Sequence, residues 1–197
     1  MDTLRSFIAL ELAPGVKEAL GKTQKALQAY DQAASAVVKW VAPDSIHLTL
    51  KFLGETPLAK VNAIEAGMAE AARGCRTLTL RLGPTGCFPN GRQPRVLWVG
   101  VLGDLDALER LQAALEKSVA PLGFPTEGRR FSAHLTLGRV RDDARPELRQ
   151  RLGAAVQALH PAPATFTVSS LSLIRSDLQR EGAVYTRLAE AQFGSGG

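Results

Sequence analysis

The apolar residues of this chain fall into blocks whose period switches between two and about 3.6, and these blocks predict alternating strands and helices. Residues 4–12, LRSFIALEL, read as a strand. Pro14 suits a first helical turn, after which Val16, Leu20, Thr23, Leu27 and Tyr30 recur at helical spacing. VVKWV (37–41) is a short strand, and APDS turns the chain into the strand IHLTLKFLG. Thr56 as cap and Pro57 as first residue open a second helix with Leu58, Val61, Ile64, Met68 and Ala72 on one face. LTLRLG (78–83) returns as a strand. The order then repeats. VLWVGVL (96–102) is a strand, Asp104 an N-cap, and Leu105, Leu108, Leu111 and Leu115 one face of a third helix. HLTLGRV (134–140) is a strand, and Pro146 starts a fourth helix carrying Leu148, Leu152 and Val156. TFTVSSLSLIRS (165–176) and AVYTRLAE (183–190) are closing strands.

The two halves register closely. HLTL stands at residues 47–50 and again at 134–137, an offset of 87 (134 minus 47). The same shift sets residues 77–79 on 164–166, and an offset of 89 (96 minus 7) sets Phe7 on Val96. We read residues 1–197 as a single two-lobed domain built from a duplicated strand–helix–strand unit. Two copies are too few for a solenoid.

Composition narrows the class. With 45% hydrophobic and 22% charged residues, the chain matches an ordinary globular protein. No apolar run approaches the roughly 20 residues of a membrane span, and the start MDTLRSFIALEL has no signal-peptide pattern. Two cysteines, Cys75 and Cys87, are too few for a disulfide scaffold and fit a reducing, cytoplasmic setting. The net charge is +5, carried by 17 Arg and 7 Lys. Arginine grips phosphate oxygens in pairs, so the skew suits a phosphate-bearing partner, although codon usage gives the same skew.

The repeated tetrapeptide holds two of the three histidines. Along a strand, residues i and i+2 face the same way, so His47 and Thr49 share one face while Leu48 and Leu50 face the core. His134 and Thr136 repeat this. Each copy offers an imidazole and a hydroxyl roughly 7 Å apart, from about 3.3 Å of rise per residue. Imidazoles change charge near pH 6.5 in ordinary surroundings, so one can take a proton from water while the other gives one to a departing oxygen. Two hydroxyls can hold non-bridging oxygens at a phosphorus centre. Neither HxH nor HExxH occurs, and no metal is required. His160, among prolines, reads as an exposed loop residue. Around the second copy, GRRFSAHLTLGRVR supplies Arg129, Arg130, Arg139 and Arg141. Arg139, at i+5, faces away from His134 on an unbroken strand and reaches the cleft only if the strand bulges near Gly138. Phe131 either stacks on a base or fills the core, core filling being the ordinary role of such a residue.

The flanks KWVAPDSIHLTLKFLGE, FPNGRQPRVLWVGV and RRFSAHLTLGRVR, with RSFIALEL near the start and LSLIRSDLQREGAVYTRLAE near the end, resemble the RNA 2′,3′-cyclic phosphodiesterase (2′-5′ RNA ligase-like) family of the 2H phosphoesterase superfamily. That resemblance implies a bilobal α+β fold, two antiparallel-sheet lobes with outer helices around a central cleft. It implies hydrolysis of RNA 2′,3′-cyclic phosphate ends to 2′-phosphomonoesters, with no cofactor; apart from the resemblance, the expectation is a cytoplasmic monomer. By the same analogy His47 is the proton donor and His134 the acceptor. Thr49 and Thr136 bind the phosphate, with Arg139, Arg130 and Phe131 as further contacts. Ala133 departs from a proline common in relatives. Reversible 2′-5′ ligation and a non-catalytic RNA-end-binding module stay open as alternatives. So does the substrate: tRNA fragments, short oligonucleotides, cyclic mononucleotides or an ADP-ribose cyclic phosphate.

Overall fold

The computed structural model describes residues 2–179 and 182–194. It contains nine strands and five helices among those residues. The strands are β1 (Thr3–Leu10), β2 (Val38–Trp40), β3 (Leu48–Pro57), β4 (Leu78–Phe88), β5 (Val96–Gly103), β6 (His134–Val140), β7 (Thr165–Val168), β8 (Ser170–Gln179) and β9 (Gly182–Gln192). The helices are α1 (Pro14–Tyr30), α2 (Gln32–Ser35), α3 (Val61–Arg73), α4 (Leu105–Val119) and α5 (Pro146–Ala158).

Two antiparallel sheets result, ordered β3-β1-β8-β9 and β2-β6-β5-β4-β7. This is the two-lobed α+β architecture expected. The orders superpose slot by slot, β3-β1-β8-β9 upon β6-β5-β4-β7, with β2 added beside β6. The two HLTL strands therefore hold the same slot. Beyond them the 87-residue registration fails, because β4 lies beside β5 while its counterpart by slot is β8, beside β1. Each sheet thus takes two strands from the other half of the chain, β8 and β9 in the first sheet and β2 and β4 in the second.

One face of each sheet builds a common core. Ile8, Leu10, Leu48 and Leu173 of the first sheet and Leu97, Val99, Leu135 and Leu137 of the second are fully buried in it. Fully burying such a side chain is worth about 1.5–3 kcal/mol, so this alternating register is strongly specified. Helices α3 and α4 pack on each other, α3 against β8 and β9, α4 against β3 and β4, and α5 against β4. The residues of β1 that alternate away from this core, Phe7 and Ala9, join Ile174 and Tyr185 in a small separate cluster.

Four local expectations are corrected. Thr56 does not cap a helix: it is buried in β3, where its hydroxyl meets Ser6 Oγ at 2.8 Å. A 3₁₀ turn (Leu58–Lys60) then delays α3 to Val61 and leaves Leu58 half exposed. Asp104 stands before α4, but its carboxylate accepts from Thr79 N (2.8 Å) instead of capping the helix. Residues 165–176 are not one strand; they break at Ser169 and serve both sheets as β7 and β8.

Candidate active site

A cleft of about 1570 Å³ lies between the sheets, and its walls carry His47, Thr49, His134 and Thr136 together with Arg139, Arg130 and Phe131. Both motifs reach it for the same local reason. In β3 the burial alternates as far as Leu50 and then Leu50 and Lys51 are buried in succession. The pairing with β1 shows the cause, a shift between Ala9↔Thr49 and Ile8↔Lys51. In β6 Leu137 and Gly138 are likewise buried in succession, with a shift between Trp98↔Thr136 and Leu97↔Gly138. A bulge inserts one residue and flips the faces beyond it. Arg139 consequently shares the cleft face with His134 and Thr136, the condition its position required. At the matching place in the first motif stands Phe52, which is 57% exposed and lines the cleft.

The unpaired residues are Leu50 and Leu137, and the residue after each is anchored differently. Lys51 is 2% exposed, and its ammonium meets Glu116 Oε2 at 2.7 Å and the Pro125 carbonyl at 2.6 Å. The same carboxylate accepts from Gln112 Nε2 and from Glu127 N. The pair thus ties β3 to the segment that leads into Arg129 and His134. Gly138 has β2 against it: a Cβ there would lie 2.6 Å from Val38 and 3.1 Å from the Lys39 carbonyl. Only glycine allows that approach.

The two imidazoles sit in related but unequal surroundings. His134 Nδ1 lies 2.7 Å from the Ser132 carbonyl, which can only accept. Nδ1 therefore carries the proton in the neutral ring, and Nε2 keeps its lone pair. The Ser45 carbonyl faces His47 from the same relative position and pulls its pKa upward. Ser45 and Ser132 are the same residue in both copies, so the repeat extends to Ser-x-His-Leu-Thr-Leu. That identity two places upstream was the available signal for these tautomer-setting carbonyls.

His47 is stacked on Phe7 (ring centroids 4.4 Å, 19° between planes) with the Tyr185 edge 5.1 Å away. Burial among these rings drives its pKa down to about 4, against an upward pull from the Ser45 carbonyl. The positive field of Lys17 lowers it further, while Glu11 raises it. His134 meets the edge of Phe88 at 5.0 Å and Trp98 at 6.5 Å. Phe7, Tyr185, Phe88 and Trp98 were not singled out by the sequence, because aromatic residues in strands ordinarily read as core.

The remaining expected contacts are less committed to the cleft. Arg130 stands at the rim with its side chain 87% exposed, 3.4 Å from Glu109. Phe131 packs partly on the main core while lining the cleft. His160 is exposed and outside the cleft walls. Cys75 and Cys87 are free thiols. Among the described residues no group of three His, Cys, Asp or Glu side chains is placed to hold a metal ion, and no helix is long and apolar enough to cross a membrane.

Known proteins share this sequence pattern and this fold. The family model of the 2′-5′ RNA ligase superfamily matches residues 11–180. A Methanothermobacter thermautotrophicus protein named RNA 2′,3′-cyclic phosphodiesterase is 33% identical over 184 residues, covering 93% of this chain and 95% of its own length. A Thermotoga maritima protein of the same name is 29% identical over 193 residues, 98% of this chain and 97% of its own. Among solved structures, a Thermus thermophilus protein superposes with a TM-score of 0.76 at 28% identity, covering 98% of this chain and 100% of that one. E. coli LigT in its apo form superposes with a TM-score of 0.74 at 25% identity, covering 99% and 100%.

Proposed function

This chain belongs to the 2′-5′ RNA ligase superfamily, and on that footing we propose that it is an RNA 2′,3′-cyclic phosphodiesterase acting on RNA ends. The observation that carries the reading is the pair of bulged His-x-Thr strands, one from each sheet, presented to a single cleft.

In this scheme water attacks phosphorus in line with the 3′-oxygen. His134 Nε2 takes the proton of the water, the bond from water oxygen to phosphorus forms, and the bond from phosphorus to the 3′-oxygen breaks. His47 gives its proton to that oxygen, leaving a 2′-phosphomonoester and a free 3′-hydroxyl. The two rings then exchange their protons with solvent, so the net reaction consumes one water. The Ser132 carbonyl leaves the outer ring nitrogen of His134 unprotonated, as an acceptor requires, and because Ser45 faces His47 in the same way the division of roles follows the family resemblance. His47 is neutral in the free cleft, so the donor role requires that a bound phosphate anion restore its proton. Thr49 and Thr136 donate to the non-bridging oxygens, and Arg139 sits beside them to balance the charge of the transition state.

Phosphorus NMR of a 2′,3′-cyclic nucleotide tests the reading directly. The expected product is the 2′-phosphate, formed in the presence of a chelator. His47→Ala and His134→Ala should each lose turnover by at least a thousandfold while keeping a wild-type circular dichroism spectrum. Activity retained in either variant, activity lost to the chelator, or a 3′-phosphate product defeats it.

A further inference from the structure

We propose that Lys25 of α1 and Lys39 of β2 hold the phosphates upstream of the cyclic end, so that these two lysines make catalytic efficiency grow with the length of the RNA strand. This rests on the phosphodiesterase reading for the placement of that end.

Size is the first support. At about 1570 Å³ the cleft exceeds the roughly 300–1,000 Å³ that encloses a drug-sized ligand, a class that includes a single nucleotide. Charge is the second. Eight Lys and Arg side chains line the cleft against two carboxylates, a surplus of six (eight minus two). The whole chain carries only +5, so the surface outside the cleft is close to neutral and slightly negative. A protein selecting for net charge alone would not gather it on one concave wall; a polyanion running along that wall requires this distribution.

The positions extend away from the histidines. Helix α1 turns a polar face to the cleft, with Lys17, Gln24, Lys25 and Gln28 along it. It is pinned there by Gln24, whose side-chain amide donates to the carbonyls of Val41 (2.6 Å) and Leu137 (2.9 Å). Leu137 belongs to the second His-x-Thr strand, so α1 is held at a set position relative to His134. Residues 17 to 25 span about 12 Å of helix axis, longer than one nucleotide's phosphate needs. Lys39 pairs across from Arg139, and cross-strand partners project from the same face. The cationic wall is therefore continuous from Arg139 to the edge strand. Lys22 is engaged by Glu18 (2.8 Å) and Lys17 by the Asp44 carbonyl (2.8 Å). Lys25 and Lys39 have no carboxylate partner among the described residues.

The test is a length series of oligoribonucleotides, one to six residues, each ending in a 2′,3′-cyclic phosphate, with the wild type and Lys25→Gln/Lys39→Gln. In the wild type kcat/KM should rise at least tenfold from one to four nucleotides, through KM rather than kcat. The salt dependence of the longer substrates should be steeper by about 1.4 in log–log slope, at roughly 0.7 per phosphate held. The double variant should erase most of that rise. Equal kcat/KM at one and four nucleotides, or an undiminished rise in the variant, overturns the proposal. If the wild type turns over no substrate of any length, the phosphodiesterase reading fails on its own. Fluorescence anisotropy with 3′-phosphorylated RNAs of the same lengths then decides the track: affinity that grows with length and needs both lysines upholds it, and length-independent affinity sinks it.

Discussion

The stacked environment of His47 makes a quantitative claim about stability. Its folded pKa is about 4, against an ordinary value of about 6.5. A histidine held neutral by folding contributes stability that is complete above the unfolded pKa and is lost as pH falls from about 6.5 towards 4. At pH 4.5 the unfolded chain binds nearly one proton at this residue and the folded chain only a fraction of one. Integrating the linkage between those pKa values gives a loss of about 2 kcal/mol between pH 7 and pH 4.5. His47→Phe removes the titration but keeps a ring between Phe7 and Tyr185. Urea denaturation of both proteins at the two pH values isolates the contribution, because every other titrating group is common to both. The wild type should lose about 2 kcal/mol more than the variant on acidification. Equal losses, or a larger loss in the variant, would refute the argument that burial among the rings keeps this imidazole uncharged.

The same neutrality has a counterpart in binding. A 2′-nucleotide product that restores the proton on His47 should bind about tenfold more weakly per pH unit upwards of pH 4, a dependence that isothermal titration reads and His47→Phe abolishes. Breaking the buried pair with Lys51→Met alone should cost about 3–5 kcal/mol in denaturant unfolding, whereas Lys51→Met with Glu116→Leu should recover much of it. No recovery in the double variant would show that the pair matters for more than mutual neutralisation. Gly138→Ala should destabilise by about 1–3 kcal/mol, since its methyl meets the backbone of β2 as well as Val38, and a neutral thermal melt would contradict the close approach. Arg139→Ala should raise KM with a smaller effect on kcat, and unchanged kinetics would remove Arg139 from the cleft's chemistry.

Much of this molecule follows from local rules acting on local sequence. Period-two alternation around HLTL put one imidazole and one hydroxyl on the same face in each copy, and apolar spacing located α1, α4 and α5 because their buried stripes are several turns long. Resemblance of the flanks supplied the family, which period and spacing could not have supplied. Other features are not encoded locally. A bulge is a property of two paired strands, so nothing in LTLGRV alone could say that the faces flip at Gly138 and bring Arg139 inward, or that LTLKF turns Lys51 inward and Phe52 out. The break at Ser169 exists because one stretch of uniformly strand-forming residues must pair with β4 and then β1, in different sheets. Thr56 looked like a cap because its hydroxyl is indifferent between a helix N–H and Ser6; the neighbouring strand decided. The charge state of His47 likewise depends on Phe7 and Tyr185, distant in the chain and close only after folding. Sequence determined which groups could do the chemistry, since side-chain identity and strand period are local; tertiary pairing decided where they meet and how they are charged, since register and desolvation exist only between segments.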